Sequence, residues 1–318
     1  MIYGRINKHN TGETMNRLAS ACLIATGIFA LAAPVWAAGD IALTAKMAFP
    51  ESLTSTPDGA VYIGSLPLGT VYRAAPGARR AALWLSNDKI GAKMVLGVLA
   101  DARSDTLWLC ADGDNKATLK TYALSSGAPL KSYDFPGGGF CNDIALKGGD
   151  AYVTDTGKGR ILKLAAGADA LSVWYQNDPA DPSLDGIVWK GNILYTNTYN
   201  GNHLISVAMK DDGTAGPGKV LQTSMPIYQP DGMRLSQDGR ILMIEGRGQD
   251  GNGRLEYVSP NGDGATITVI KDGYMLPTAV TTVGDTAYVL EAKLNYQRDP
   301  ALKDKDPGVF HAYAVTLK

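Results

Sequence analysis

The chain has 318 residues, 45% of them hydrophobic, 19% charged and 8% aromatic, and its 30 basic and 31 acidic side chains leave a net charge of −1. That balance excludes a nucleic-acid or anionic-membrane partner held by bulk charge, and the apolar content excludes a disordered chain. Glycine is the outlier, with 37 residues against an ordinary share of about 7%, which points to many tight turns.

In chain order, the first element is an address. Residues 15–37 open with Met15-Asn16-Arg17, run apolar from Leu18 to Ala33 and end Pro34-Val35-Trp36-Ala37. A basic start, a short apolar run and small residues at the third-last and last positions make a secretory signal peptide, cut before Ala38. The run is short for a bilayer span, and Cys22 lies too early for lipidation. Residues 1–14 lack signal character, so Met15 competes with Met1 as the start. Domain organisation is then 1–37 as extension and signal, and 38–318 as the mature protein, expected to be periplasmic or secreted without stable membrane insertion. Removing Arg5, Lys8, Glu13 and Arg17 moves the net charge from −1 to −3. Cys110 and Cys141 remain, and an oxidising compartment permits a disulfide whose geometry sequence does not supply.

The mature chain repeats. A short β-rich run recurs around Tyr62, Trp108, Tyr152, Leu194, Leu242 and Tyr288, at steps of 46, 44, 42, 48 and 46 residues. Strand-built repeats of about 40–50 residues are the signature of propeller blades. Each unit reads as an inner strand, a turn (Pro57-Asp58-Gly59, Gly148-Gly149-Asp150, Gln237-Asp238-Gly239), the marked strand, and a third strand such as Val71-Tyr72-Arg73 or Ile161-Leu162-Lys163-Leu164. Residues 39–48 are expected to supply the outer strand of the last blade and close the ring. No segment sustains a 3.6-residue amphipathic pattern, which sets aside a doubly wound α/β fold. The fold is read as all-β, a six-bladed β-propeller.

Counting back 9–11 residues from each marker reaches the start of the inner strand: Glu51, Gly97, Asn142, Asp185, Asp231 and Thr278. Inner strands converge on the central channel, so Glu51, Asn142, Asp185 and Asp231 are expected to aim oxygen donors at one axial spot. Alone, each Asp-Gly is more often a turn; four of six blades at one register argue for a divalent-metal site. Oxygen-only donors suit a hard cation, Ca²⁺ first and another divalent cation as the alternative.

These motifs resemble the SMP-30/gluconolactonase/LRE-like propellers. The likeness rests on Phe49-Pro50-Glu51-Ser52, Cys141-Asn142-Asp143-Ile144-Ala145, Leu184-Asp185-Gly186-Ile187 and Gln229-Pro230-Asp231-Gly232-Met233, and spans the mature chain. It implies a metal-dependent lactonase or esterase, with Glu51, Asp185 and Asp231 as ligands, Asn142 touching metal or substrate, and Asp231 as the base. Asp185 stands where such proteins usually carry Asn, which adds a third carboxylate. Gly97 and Thr278 leave no ring histidine. Gly139-Phe140 precede Cys141 and Asn142 where an Arg is usual, so a more apolar lactone or ester fits better than a sugar lactone.

The loops between second and third strands are expected to build the pocket walls, and within them His203, Glu245 and Glu291 are weaker candidates for substrate contact. Solvation for His203, and hydrogen bonding between blades for the two glutamates, are the plainer roles. The charged stretch from Asp299 to Pro307 is a solvated loop or a lid. The leading expectation is a calcium-dependent hydrolase of small lactones or esters, with metal-polarised carbonyl and carboxylate-activated water. The rival is a non-catalytic ligand- or protein-binding propeller with a structural calcium ion.

Overall fold

The computed structural model describes residues 39–113, 116–247 and 252–317. The expected signal segment 1–37 lies outside the described residues. The first blade comprises Pro50–Ser55, Val61–Ser65, Thr70–Ala74 and Arg80–Leu85; the second Met94–Asp101, Thr106–Gly113, Lys116–Ala123 and Pro129–Asp134. The third comprises Cys141–Lys147, Asp150–Asp155, Arg160–Leu164 and Ser172–Gln176; the fourth Leu184–Lys190, Ile193–Thr198, His203–Met209 and Ala215–Val220. The fifth holds Pro230–Leu235, Ile241–Glu245, Gly253–Asn261 and Gly264–Tyr274, the last flanked by Gln222–Thr223; the sixth holds Pro277–Val283, Thr286–Glu291 and Phe310–Thr316. Within each blade the strands follow chain order and pair antiparallel. All six markers fall in second strands, as the repeat predicts.

The turns are built as their sequences suggest. In the first blade Thr56 donates its hydroxyl to Asp58, and in the fifth Ser236 does the same to Asp238. One local device thus closes the inner hairpin of both. In the third blade Lys147 pairs with Asp150 across Gly148 and Gly149, whose φ values of 60° and 94° meet the left-handed demand of a two-residue hairpin.

The core is divided into six apolar clusters, one between each pair of neighbouring blades. Val71, Leu85, Val98 and Leu107 join blades one and two; Leu119, Cys141, Ile144 and Val153 join two and three. Tyr152 and Trp189 lie between three and four with ring centroids 4.9 Å apart, and Leu204 and Met243 between four and five. Leu255 with Val289 and Leu53 with Leu290 complete the circuit. A strand buried on both faces needs this apolar filling from each side.

Ile41–Leu43 pairs antiparallel with Phe310–Thr316, Ile41 opposite Ala312 and Leu43 opposite Phe310. The expected closure is therefore present, and the same strand also runs parallel to the edge of blade one at Arg80 and Ala81. Phe49 meets Phe310 edge-on at 5.3 Å beneath it. Cys110 and Cys141 are disulfide-bonded with Cα atoms 5.1 Å apart, linking the second strand of blade two to the inner strand of blade three.

Candidate active site

Every inner strand carries a register shift at or beside its ring position: between Pro50 and Ser52, Val95 and Val98, Cys141 and Ile144, Leu184 and Ile187, Pro230 and Met233, and Pro277 and Ala279. A β-bulge bends its strand and re-aims a side chain. Repeated six times, it turns Glu51, Asn142, Asp185, Asp231 and Thr278 towards the channel, each no more than 9% exposed.

The Asp-Gly pairs are strand residues. A methyl group on Gly186 would stand 2.3 Å from the Asp231 carbonyl oxygen, and one on Gly97 would stand 2.2 Å from that of Asn142. Neighbouring inner strands approach closely there, so glycine at position 97 is a packing requirement of the ring.

The ring is a network of short polar contacts. Asn142 donates its amide to Thr156 Oγ1 and Asp185 Oδ2, each at 3.0 Å. Asp185 and Asp231 share a side-chain hydrogen bond, and Gly232 N–H donates to Asp231 at 2.9 Å. Asn197 donates to the Asp231 carbonyl at 2.7 Å while accepting from Gly186 N–H at 3.0 Å, fixing the backbones of blades four and five. Burial first, then repulsion from Asp185 and Asp143, raises Glu51 well above the usual carboxylate range. Burial, Asp185 and Glu51 raise Asp231 likewise, and burial with Asp143 lifts Asp185 to about 7. The surroundings of Asp231 make its ionisation depend on positive charge nearby.

One such charge lies directly under the ring. Arg234 forks onto Asp143, with N–H donors 2.7 and 2.8 Å from the two carboxylate oxygens, and also donates to the Met233 carbonyl at 2.7 Å. Asp143 accepts further from Ile144 N–H at 2.8 Å and from Ile187 N–H at 3.3 Å. The pair spans blades three and five and touches blade four. Sequence reasoning gives neither residue a role, although an acid and a base on the inner strands of different blades were the available signal.

Above the ring opens a pocket of about 180 Å³, with Glu51, Asn142, Asp185, Asp231 and Thr278 lining its floor. Leu66, Leu96, Phe140, Leu276 and Leu294 form apolar walls, and Thr156, Ser183, Tyr199 and Asn200 a polar one. Asp155 positions Phe140, accepting its N–H at 2.8 Å while paired with Arg160 at 2.7 Å. The other candidates lie outside this lining. His203 Nδ1 sits 2.9 Å from Asp181 Oδ2 with a half-exposed ring. Glu245 is buried with Arg247 Nε at 3.0 Å and Glu256 beside it. Glu291 accepts Met275 N–H at 2.7 Å, holding the entry to blade six.

The donor set fits a hard divalent cation in chemistry. Three buried carboxylates repel one another, and Glu51 Oε2 and Thr278 Oγ1 are buried without a hydrogen-bond partner. In spatial arrangement, no group of three or more His, Cys, Asp or Glu among the described residues gathers as a ligand set. The ring side chains pair with one another instead, Asp185 with both Asn142 and Asp231.

No family model matches the chain, and no curated protein matches it by sequence. Solved structures do match. A candidate gluconolactonase is 13% identical, with a TM-score of 0.64 over 88% of this chain and 94% of that one. Regucalcin, a calcium-binding protein from Agrobacterium tumefaciens strain C58, is 15% identical with a TM-score of 0.63 over 88% and 95%. A luciferin-regenerating enzyme is 16% identical with a TM-score of 0.62 over 85% and 92%. The chain therefore shares the propeller fold of the SMP-30/gluconolactonase/LRE-like proteins, the same group its inner-strand motifs resemble.

Proposed function

We propose that the protein is an exported, divalent-cation-dependent hydrolase of small lactones or related esters, with Ca²⁺ as the first candidate ion. The observation that carries this reading is the ring of Glu51, Asn142, Asp185 and Asp231 at the floor of a largely apolar pocket. The likeness to a candidate gluconolactonase and to calcium-binding regucalcin supports it at the level of fold. Glu51, Asp185 and Asp231 would hold the ion with Asn142 beside them; when bound, it would supply the positive charge that keeps these carboxylates ionised and polarises an ester carbonyl. Asp231 takes the proton from water at the pocket floor, so that hydroxide adds to the carbonyl carbon. The proton then passes to the leaving alkoxide as the C–O bond breaks. Asn142 orients Asp185 through its amide, and the leucine walls keep bulk water from the carbonyl. Export rests on the basic-then-apolar segment of residues 15–37.

Replacing Asp231 by Asn preserves volume and removes the base. Hydrolysis of an apolar lactone and an aryl ester is expected to fall by about 100-fold or more, with the circular dichroism spectrum unchanged. Activity should also vanish on chelation and return with Ca²⁺. The second reading, a binding propeller in which the ion is structural, draws on the ring carboxylates pairing with each other. It predicts no turnover by wild type, together with a thermal midpoint that falls on chelation.

A further inference from the structure

The insertion between the second and third strands of blade six places one cation at the mouth of the pocket. Leu294 and Asn295 are buried, so the short helix Asn295–Arg298 is anchored at its start. Lys293 ties the two ends of the insertion together by donating to the carbonyls of Pro307 and Val309 at 3.0 and 2.9 Å. Arg298 projects from this platform onto the pocket and donates to Tyr199 Oη of blade four at 3.3 Å. Among the described residues it is the one basic residue in the lining, is exposed, and has Tyr199 and no carboxylate as its partner. A guanidinium carries five N–H donors in a planar fork. One is directed at a neutral phenol, and among the described residues the rest of the fork meets no other acceptor.

From floor to mouth the pocket therefore presents three carboxylates, a leucine and phenylalanine wall, and a single guanidinium. A ligand anion placed at the floor meets Glu51, Asp185 and Asp231, whereas at the mouth it meets Arg298. A guanidinium at the mouth, set apart from the floor by the apolar wall, fixes orientation as well as affinity. One guanidinium balances one negative charge, which favours a carboxylate over a doubly charged phosphate.

We infer that the pocket selects ligands bearing a carboxylate on an apolar body, the carboxylate held by Arg298 and the opposite end directed to the ring. The inference rests on the proposed hydrolase for what happens at the ring; the binding preference stands apart from it.

Calorimetric titration of 4-phenylbutyrate and its neutral amide, 4-phenylbutanamide, separates the two. Wild type should bind the acid at least about tenfold more tightly than the amide, the size expected of one charge-assisted contact. R298Q should remove that preference, and R298K should keep part of it, since an ammonium lacks the fork. Equal binding of acid and amide, binding of neither, or a preference that survives R298Q overturns the inference. Hydrolysis of 4-nitrophenyl octanoate, run beside it, reads the other proposal. Turnover without acid preference removes the carboxylate site alone, and acid preference without any turnover removes the hydrolase alone.

Discussion

At the scale of single residues, the charges that matter are buried ones whose partners lie on other blades. Arg234 is the clearest case, because Asp143 receives its fork from 91 positions away. Deleting one member strands the other without solvent. Arg234→Met is therefore expected to cost about 3–5 kcal/mol in urea unfolding, and adding Asp143→Asn should restore most of it. A double variant no better than the single one would show that Arg234 acts by packing instead of charge. Glu256 makes a different point. It is fully buried beside Glu245, and burial plus that neighbour raise it to about 8 although Arg254 stands 3.7 Å away. Its pKa is higher folded than unfolded, so its contribution to stability is whole below the unfolded value near 4.3 and is lost as pH rises through about 8. Between pH 5 and 9 the wild-type thermal midpoint should fall, and Glu256→Gln should flatten that slope. A slope unchanged by the substitution would assign it to other groups.

At the scale of elements, the inner strand is where sequence and structure agree most closely, and the reason is mechanical. Its bulge sits at the same register in every blade, so counting back from the second strand finds the ring without any knowledge of contacts. The Asp-Gly pairs are legible only in part. Their glycines look like turn residues, whereas Gly186 answers to the backbone of the next blade. The same holds for Gly97, where an added methyl would meet the Asn142 carbonyl oxygen at 2.2 Å. Gly97→Ala should cost about 1–3 kcal/mol, the usual range for overpacking, and should reduce hydrolysis because Asn142 is the residue displaced. Gly91→Ala makes a poor comparison, since its φ of 66° adds backbone strain; Gly113→Ala, with its nearest neighbour at 3.3 Å, isolates mild crowding. The pocket walls were legible in part: the loops between second and third strands, expected to build them, do supply Tyr199, Asn200, Gly246 and Leu294. Leu96 and Phe140 were not legible, because one lies within an inner strand and the other just before one, and no period in the sequence says that they close the same cavity.

At the scale of the whole molecule, six clusters joined in a circuit make each blade depend on two neighbours, and the circuit is only as strong as its one seam formed by chain ends. That seam is Ile41–Leu43 against Phe310–Thr316. Leu43 is 1% exposed and packs with Phe49 and Phe310 between blades six and one. Replacing a buried leucine by alanine typically costs about 2–5 kcal/mol, which in a protein of this size lowers the thermal midpoint by roughly 5–15 °C. Leu43→Ala should therefore produce a shift of that order, with unfolding still in one transition, because opening the seam exposes cluster after cluster around the ring. Leu83→Ala on the outer strand of blade one is the matched control, since Leu83 is 57% exposed and loses little by truncation. Equal midpoints for the two variants would mean that the seam carries no special share of stability. Two separate transitions in the Leu43 variant would mean that the blades fold in smaller groups than the closed circuit requires.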